Sequence, residues 1–205
     1  MNSSESSSGD VEIQPCFALI GHSGAGKSTL IQKCLDKNWP NQRRARILRK
    51  CTTRSLRFQE ENDELVPMER VLFQSKVENG EFLMTYENHG EFYGLERREA
   101  LSLAPNEFAL ISINTAAAIA LKNSCAFKLY ICLIEANFHT REERLKKRAD
   151  SDTIQKMQSR LLHEENPQRR TVADKVLSSD RTLEETSLLF RQYIESVLNP
   201  FPRNQ

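Results

Sequence analysis

The chain has 205 residues, enough for one compact domain with a real hydrophobic core. Its 29 basic and 28 acidic side chains nearly cancel, which excludes a protein that holds nucleic acid by bulk charge. No apolar stretch approaches the ~20 residues of a membrane-crossing helix, and the five cysteines form no CxxC pair and no zinc spacing with the four histidines. The scattered thiols fit small buried hydrophobes in a reduced, cytoplasmic protein. Residues 1–12 are rich in serine, carry acids and lack Lys and Arg, so they fit neither a secretory nor a mitochondrial leader and are expected to form a disordered tail.

From there the chain alternates between buried-strand and helix patterns. Pro15 to Ile20 is a short continuous apolar run ending at a glycine, as expected of a strand covered on both faces. Ser28 to Leu35 reads as a helix with apolar residues 30, 31, 34 and 35 on one side. Ala45 to Leu48 forms a second short strand, residues 55–66 a polar loop or edge, and Val71 to Asn79 a helix stopped by Gly80. Glu81 to Tyr86 alternates as a strand, and Asn88-His89-Gly90 is a turn signal. Glu107 to Ile113 is the next buried strand, followed by an alanine-rich helix with Thr115 as its expected N-cap. Lys128 to Ile134 is a further strand, a charged helix begins near Thr140, Val176-Leu177 makes a last short strand, and Leu183 to Leu198 is an amphipathic closing helix. The alternation implies an α/β fold with a parallel sheet and helices on both faces.

Between the first strand and first helix stands Gly21-His22-Ser23-Gly24-Ala25-Gly26-Lys27-Ser28-Thr29. The string Gly-x-x-x-x-Gly-Lys-Ser gains its meaning from that strand–helix context. Gly21, Gly24 and Gly26 allow bare backbone N–H groups to approach phosphate oxygens, with the partly positive helix N-terminus behind them. Ser23, Ala25 and Thr29 complete the expected ATP-binding loop. Lys27 is placed to bridge the β- and γ-phosphates, and Ser28 to hold Mg²⁺. His22 reads as a spacer.

Several further stretches, in order, resemble the guanylate kinase family. Thr52-Thr53-Arg54 with Arg57 resembles its acceptor-binding segment; Glu81-Phe82 and Gly90-Glu91-Phe92-Tyr93-Gly94 resemble two more of its motifs. The run Arg144 to Arg148 and the pair Arg160-Leu161 resemble its lid. The resemblance runs from about Cys16 to Ile194. It implies a P-loop kinase domain over residues 13–198, with an acceptor-binding insertion near 50–100 and a helical lid near 141–161. It further implies an acceptor phosphate held by Arg54, Arg57 and Tyr93, and lid arginines Arg148 and Arg160 that join Lys27 in catalysis. The implied reaction moves the ATP γ-phosphate, with Mg²⁺, to a nucleoside monophosphate, GMP being the family default. Its partners are then ATP and a small phosphorylated acceptor, with no membrane, no expected nucleic acid and a monomer or homodimer as the assembly.

The base-reading positions depart from that family. Met84 and Ser112 stand where it carries acids that accept bonds from guanine; Asn114 replaces a further acid of the same strand, Lys50 a serine, and Leu95 a hydroxyl residue. Glu87 lies close enough in sequence to substitute for an acid. Two alternatives follow from this pattern: a kinase for another phosphorylated acceptor such as ribose 1,5-bisphosphate, and a non-catalytic binding module on the same fold. The dense basic run Arg43, Arg44, Arg46, Arg49 and Lys50 is the feature that nucleic-acid binding would use.

Overall fold

The computed structural model describes residues 13–35, 37–56, 64–147, 158, 161 and 167–199. The expected disordered tail, residues 1–12, lies outside that set.

Strand β1 (Pro15–Ile20) is the middle of a five-stranded sheet. Around it stand β2 (Arg44–Ile47), β7 (Glu107–Ser112), β8 (Lys128–Glu135) and β9 (Lys175–Ser178), in the order β2-β7-β1-β8-β9 and all parallel. Such a strand is covered on both faces, which is why its sequence is apolar without alternation. Cys16, Ala18 and Ile20 join one core cluster and Phe17 and Leu19 the other.

Each cluster is closed by helices. Helix α1 (Lys27–Leu35) and the last helix, α7 (Leu183–Leu198), cover the Phe17 side through Leu30, Ile31, Cys34, Phe190 and Ile194. Helix α4 (Thr115–Asn123) covers the other side through Ala117, Ala118 and Leu121. Phe17 stacks on Tyr130 at 5.3 Å and meets Phe108 and Tyr193 edge-on, an offset and T-shaped pattern suited to ring quadrupoles. Helix α5 (Phe138–Lys147) and the short α6 (Arg169–Val172) lie in the segments around β8 and β9.

The N-cap of α4 is Asn114, whose side chain accepts from the Ala117 N–H, and not Thr115. Both residue types cap well, so propensity alone could not separate them. Helix α7 matches its expected range and opens with a reciprocal capping box between Thr182 and Glu185. Helix α5 begins at Phe138, two residues ahead of its expected start at Thr140.

A second sheet arises between β2 and β7. It contains β3 (Lys50–Thr52), β4 (Leu65–Pro67), β5 (Phe82–Asn88) and β6 (Glu91–Glu96), in the order β4-β3-β6-β5. Only β3 and β4 run parallel; the other pairings are antiparallel. Strand β4 overlaps the end of the expected loop or edge at residues 55–66 and forms the edge of this sheet. Helix α2 (Arg70–Glu78) covers one face of this sheet, where Phe73 stacks on Phe82 at 4.7 Å and on Phe92 at 5.8 Å. Gly94 belongs to that packing, because a Cβ there would lie 2.7 Å from the Phe82 ring. The short helix α3 (Arg97–Ala100) follows β6. Met84 and Leu95 carry the main core across from the small sheet to the large one.

Cys16, Cys34, Cys51 and Cys132 are buried and Cys125 is exposed, all as free thiols. Burial pushes Cys34 and Cys132 up to about 12 and Cys51 to about 11, which leaves them inert packing groups. Among the described residues, no helix is long and apolar enough to cross a membrane.

Phe17→Ala should lower stability by about 3–5 kcal/mol in urea unfolding. A loss under about 1 kcal/mol would show that the ring cluster is not a central part of the core.

Candidate functional site

The loop after β1 lies where a ligand crevice forms in open parallel sheets, at the carboxyl ends of the strands. Gly21 leaves β1 with φ 136°, and a Cβ on it would collide with the Ile134 carbonyl oxygen at the end of β8. Only glycine fits both conditions. The Ala25 N–H closes a turn onto the His22 carbonyl at 3.2 Å. Lys27 Nζ curls over this loop and donates to the carbonyls of Gly21 at 2.5 Å and His22 at 3.0 Å. Gly26, Lys27, Ser28 and Thr29 form a half-buried edge at the start of α1, while Gly24 and Ala25 are buried and Ser23 is partly exposed.

Two residues outside the expected site hold the loop from behind. Arg144 of α5 donates to the Gly24 carbonyl at 3.3 Å, and to Ser179 through both its hydroxyl (3.1 Å) and its carbonyl (2.6 Å). The buried Ser179 hydroxyl donates in turn to the Ala25 carbonyl at 2.7 Å. A cavity of about 280 Å³ opens beside this bridge, lined by Gly26, Thr29, Arg144, Lys147 and Leu183 among others. Arg144 read as part of a solvated basic helix, yet it shares the inward face with Arg141 and Leu145, at helical spacing. That spacing was the available signal. His22 is also more than a spacer. Arg169 Nη1 lies 2.6 Å from its Nε2, and a guanidinium has only donors, so this contact is a hydrogen bond when Nε2 is unprotonated.

The face of the small sheet opposite α2 turns toward the large sheet and the loop. Lys50 and Thr52 of β3, Tyr93 and Leu95 of β6, and Met84 and Tyr86 of β5 share it, because strand side chains alternate. Tyr86 and Tyr93 are cross-strand partners with rings stacked at 5.1 Å. Burial pushes the Tyr86 phenol well above its ordinary value, with Tyr93 and Glu64 adding to the shift. Arg54 is half-buried just beyond β3. Its N–H donates to Thr52 Oγ1 at 3.1 Å and its Nη1 to the Ser55 carbonyl at 3.0 Å. Thr53 locks the same turn by donating to Glu91 at 2.7 Å while accepting from the Phe92 N–H at 3.0 Å.

Lys50 is buried at 3% exposure, directed inward and away from solvent. Its Nζ donates to the Ser112 carbonyl and lies 3.9 Å from a Glu64 carboxylate oxygen. Burial lowers its pKa below the ordinary lysine value; Glu64 opposes that shift and Arg54 adds to it. The same Glu64 oxygen accepts from Ser28 Oγ at 3.2 Å, while its other oxygen is buried with no hydrogen-bond partner among the described residues. A chain of polar contacts therefore runs from the glycine-rich loop through Glu64 and Lys50 to the end of β7. Glu64 lay unnoticed among several acids of a polar stretch, where nothing distinguishes a buried carboxylate from solvated ones.

Lys27, Ser28, Arg54 and Tyr93 thus belong to one continuous region that joins the two sheets. Arg57, Arg148 and Arg160, with most of the expected lid, lie outside the described residues. Glu87 is exposed on the face opposite Tyr86 and does not stand in for the missing acids. Arg46, the centre of the basic run, pairs with Glu99 and Glu107 at 3.5 Å each and is thereby neutralised locally. Among the described residues no group of three or more His, Cys, Asp or Glu side chains is placed to hold a metal.

A five-stranded parallel sheet flanked by helices, with this glycine-rich turn at the end of its middle strand, is a P-loop kinase fold. The crystal structure of guanylate kinase from Anaplasma phagocytophilum shares it, with a TM-score of 0.62 and 17% sequence identity over 90% of this chain and 86% of that one. The crystal structure of APE1195 matches with a TM-score of 0.52 and 12% identity, over 92% of this chain and 98% of the other. No protein-family model and no curated protein sequence matches the chain. The fold is therefore kinase-like, and the likeness is one of structure.

Lys50→Met should destabilise the protein by about 3–5 kcal/mol, because Glu64 is left as an uncompensated buried charge. Adding Glu64→Leu should restore most of that loss in the same denaturant titration. A cost under about 1 kcal/mol for the single change would mean the pair is solvated.

Proposed function

We propose that this protein is an ATP-dependent phosphotransferase of guanylate kinase type, moving the γ-phosphate of ATP to a small acceptor that already carries a phosphate. The observation that carries this reading is the junction of the intact Gly21–Ser28 loop with the Lys50, Arg54, Tyr86 and Tyr93 face through Ser28 and Glu64. A phosphate-cradling loop and a second anion-binding surface in one region are what a phosphate-to-phosphate transfer needs.

Lys27 neutralises charge on the transferring group, and the loop N–H groups orient it. The cavity beside Arg144 accommodates the base and ribose end of the nucleotide. Arg54 takes acceptor-phosphate oxygens through its planar guanidinium, and Tyr93 donates its hydroxyl to them. The attacking oxygen belongs to a phosphate that is already ionised, so no strong general base is required. Ser28 and the partnerless Glu64 oxygen are hard donors suited to Mg²⁺, which supplies charge neutralisation on the ATP phosphates when bound. Arg57, Arg148 and Arg160 retain the acceptor-binding and lid roles that the family resemblance gives them.

GMP is the default acceptor of that resemblance. A second reading, an acceptor without guanine, is favoured by a specific observation: Met84 and Leu95 are buried cross-strand partners, and Lys50 is bonded to Ser112. Two of the positions that would read guanine are thus an apolar cross-strand pair, and Lys50 is drawn inward onto the Ser112 main-chain carbonyl. A methionine offers no acceptor for the base N–H groups, and such a lost bond discriminates strongly.

Lys27→Ala should reduce ADP formation from ATP by about two orders of magnitude with little change in folding, as removal of one preorganised cation does. Normal turnover in that variant would overturn the assignment. Arg54→Ala should raise the acceptor KM about 10- to 100-fold and leave the ATP KM nearly unchanged. An unaltered acceptor response would remove Arg54 from the site.

A further inference from the structure

Resting on the phosphotransferase reading, we propose that Glu64 is a carboxylate ligand of the divalent cation at Ser28. The carboxylate is only 5% exposed. One of its oxygens accepts from Ser28 Oγ, and the other has no hydrogen-bond partner among the described residues. A buried carboxylate oxygen left in that state is costly unless a positive centre reaches it. A serine hydroxyl can donate to a carboxylate and still present lone pairs to a metal, so the two groups are compatible as joint ligands.

Among the described residues, Lys50 and Asn114 do not fill this role. Lys50 stands 3.9 Å away, beyond hydrogen-bond distance, and its proton goes to the Ser112 carbonyl. It offers charge balance and leaves the free oxygen unbonded. Asn114, at the position after β7 where an acid is absent, is committed to capping α4, its Oδ1 accepting from the Ala117 N–H at 2.8 Å. Its carbonyl is thereby turned to the helix. A single carboxylate beside a serine also suits Mg²⁺, which binds through one or two carboxylates together with substrate phosphates and waters. Three-acid clusters, absent among the described residues, are not required for it.

The test is a titration of Mn²⁺, followed by its electron paramagnetic resonance, into the full chain saturated with ADP. Glu64→Gln should weaken Mn²⁺ binding about tenfold or more, while ADP affinity in EDTA stays within about twofold of wild type. Because Glu64→Gln leaves Lys50 buried without its counter-charge, the double variant Lys50→Met/Glu64→Gln is titrated alongside it, with Lys50→Met as reference. The same loss of Mn²⁺ affinity is expected in that pair. Unchanged Mn²⁺ affinity with normal ADP binding would overturn the assignment of Glu64 alone. Wild-type protein that binds no ADP would overturn the phosphotransferase reading itself, and this inference with it.

Discussion

The contact between Ser28 and Glu64 is the constraint on which the site depends, because it fastens the phosphate-loop edge of the large sheet to the small sheet. Glu64 is held in turn by Lys50, and Lys50 by the Ser112 carbonyl at the end of β7. Three elements far apart in sequence are thereby locked around one buried carboxylate. Beneath them a shared hydrophobic core, with Met84 and Leu95 against Ile111 and Ala118, keeps the sheets from sliding. A buried ion pair is a weak source of net stability, since desolvation offsets much of its attraction. Its effect here is positional: breaking either partner exposes the other, so the arrangement is held as a unit.

The departures from the guanylate kinase pattern acquire a physical logic in this frame. Met84 and Leu95 pack against each other across β5 and β6, and Lys50 and Ser112 are bonded across the two sheets. Asn114 gives its side chain to a helix cap. Met84, Leu95, Lys50 and Asn114 thus each have a partner inside the protein. Arg54 lies just beyond β3, and Tyr86 and Tyr93 stack on the same face of the small sheet.

The large sheet and its helices were legible because β1, β7 and β8 are strands with buried centres and continuous apolar runs, and because the glycine-rich turn marks the start of α1. The small sheet was harder to read. Strand β6 carries a phenylalanine, a tyrosine and a glycine whose roles depend on Phe82 and Tyr86 across the hairpin, and β4 is three residues inside a polar stretch. The contacts of Arg144 and Glu64 are hard to read from the sequence for one reason. A charged side chain in a charged segment looks solvated until its partners, Gly24 and Ser179 for the one and Ser28 and Lys50 for the other, are brought to it by folding. The glycine-rich turn could be located because it is a local motif, whereas charge pairing over long sequence separations leaves little local trace.

The most direct test of the central claim is ADP release from ATP·Mg²⁺ by the wild-type chain, measured against a panel of GMP, dGMP, AMP, CMP, UMP and ribose 1,5-bisphosphate. The account predicts acceptor-dependent ADP release with at least one phosphorylated member of the panel. ATP binding without stimulated ADP release by any of them would contradict it, and would mark the fold here as a binding module.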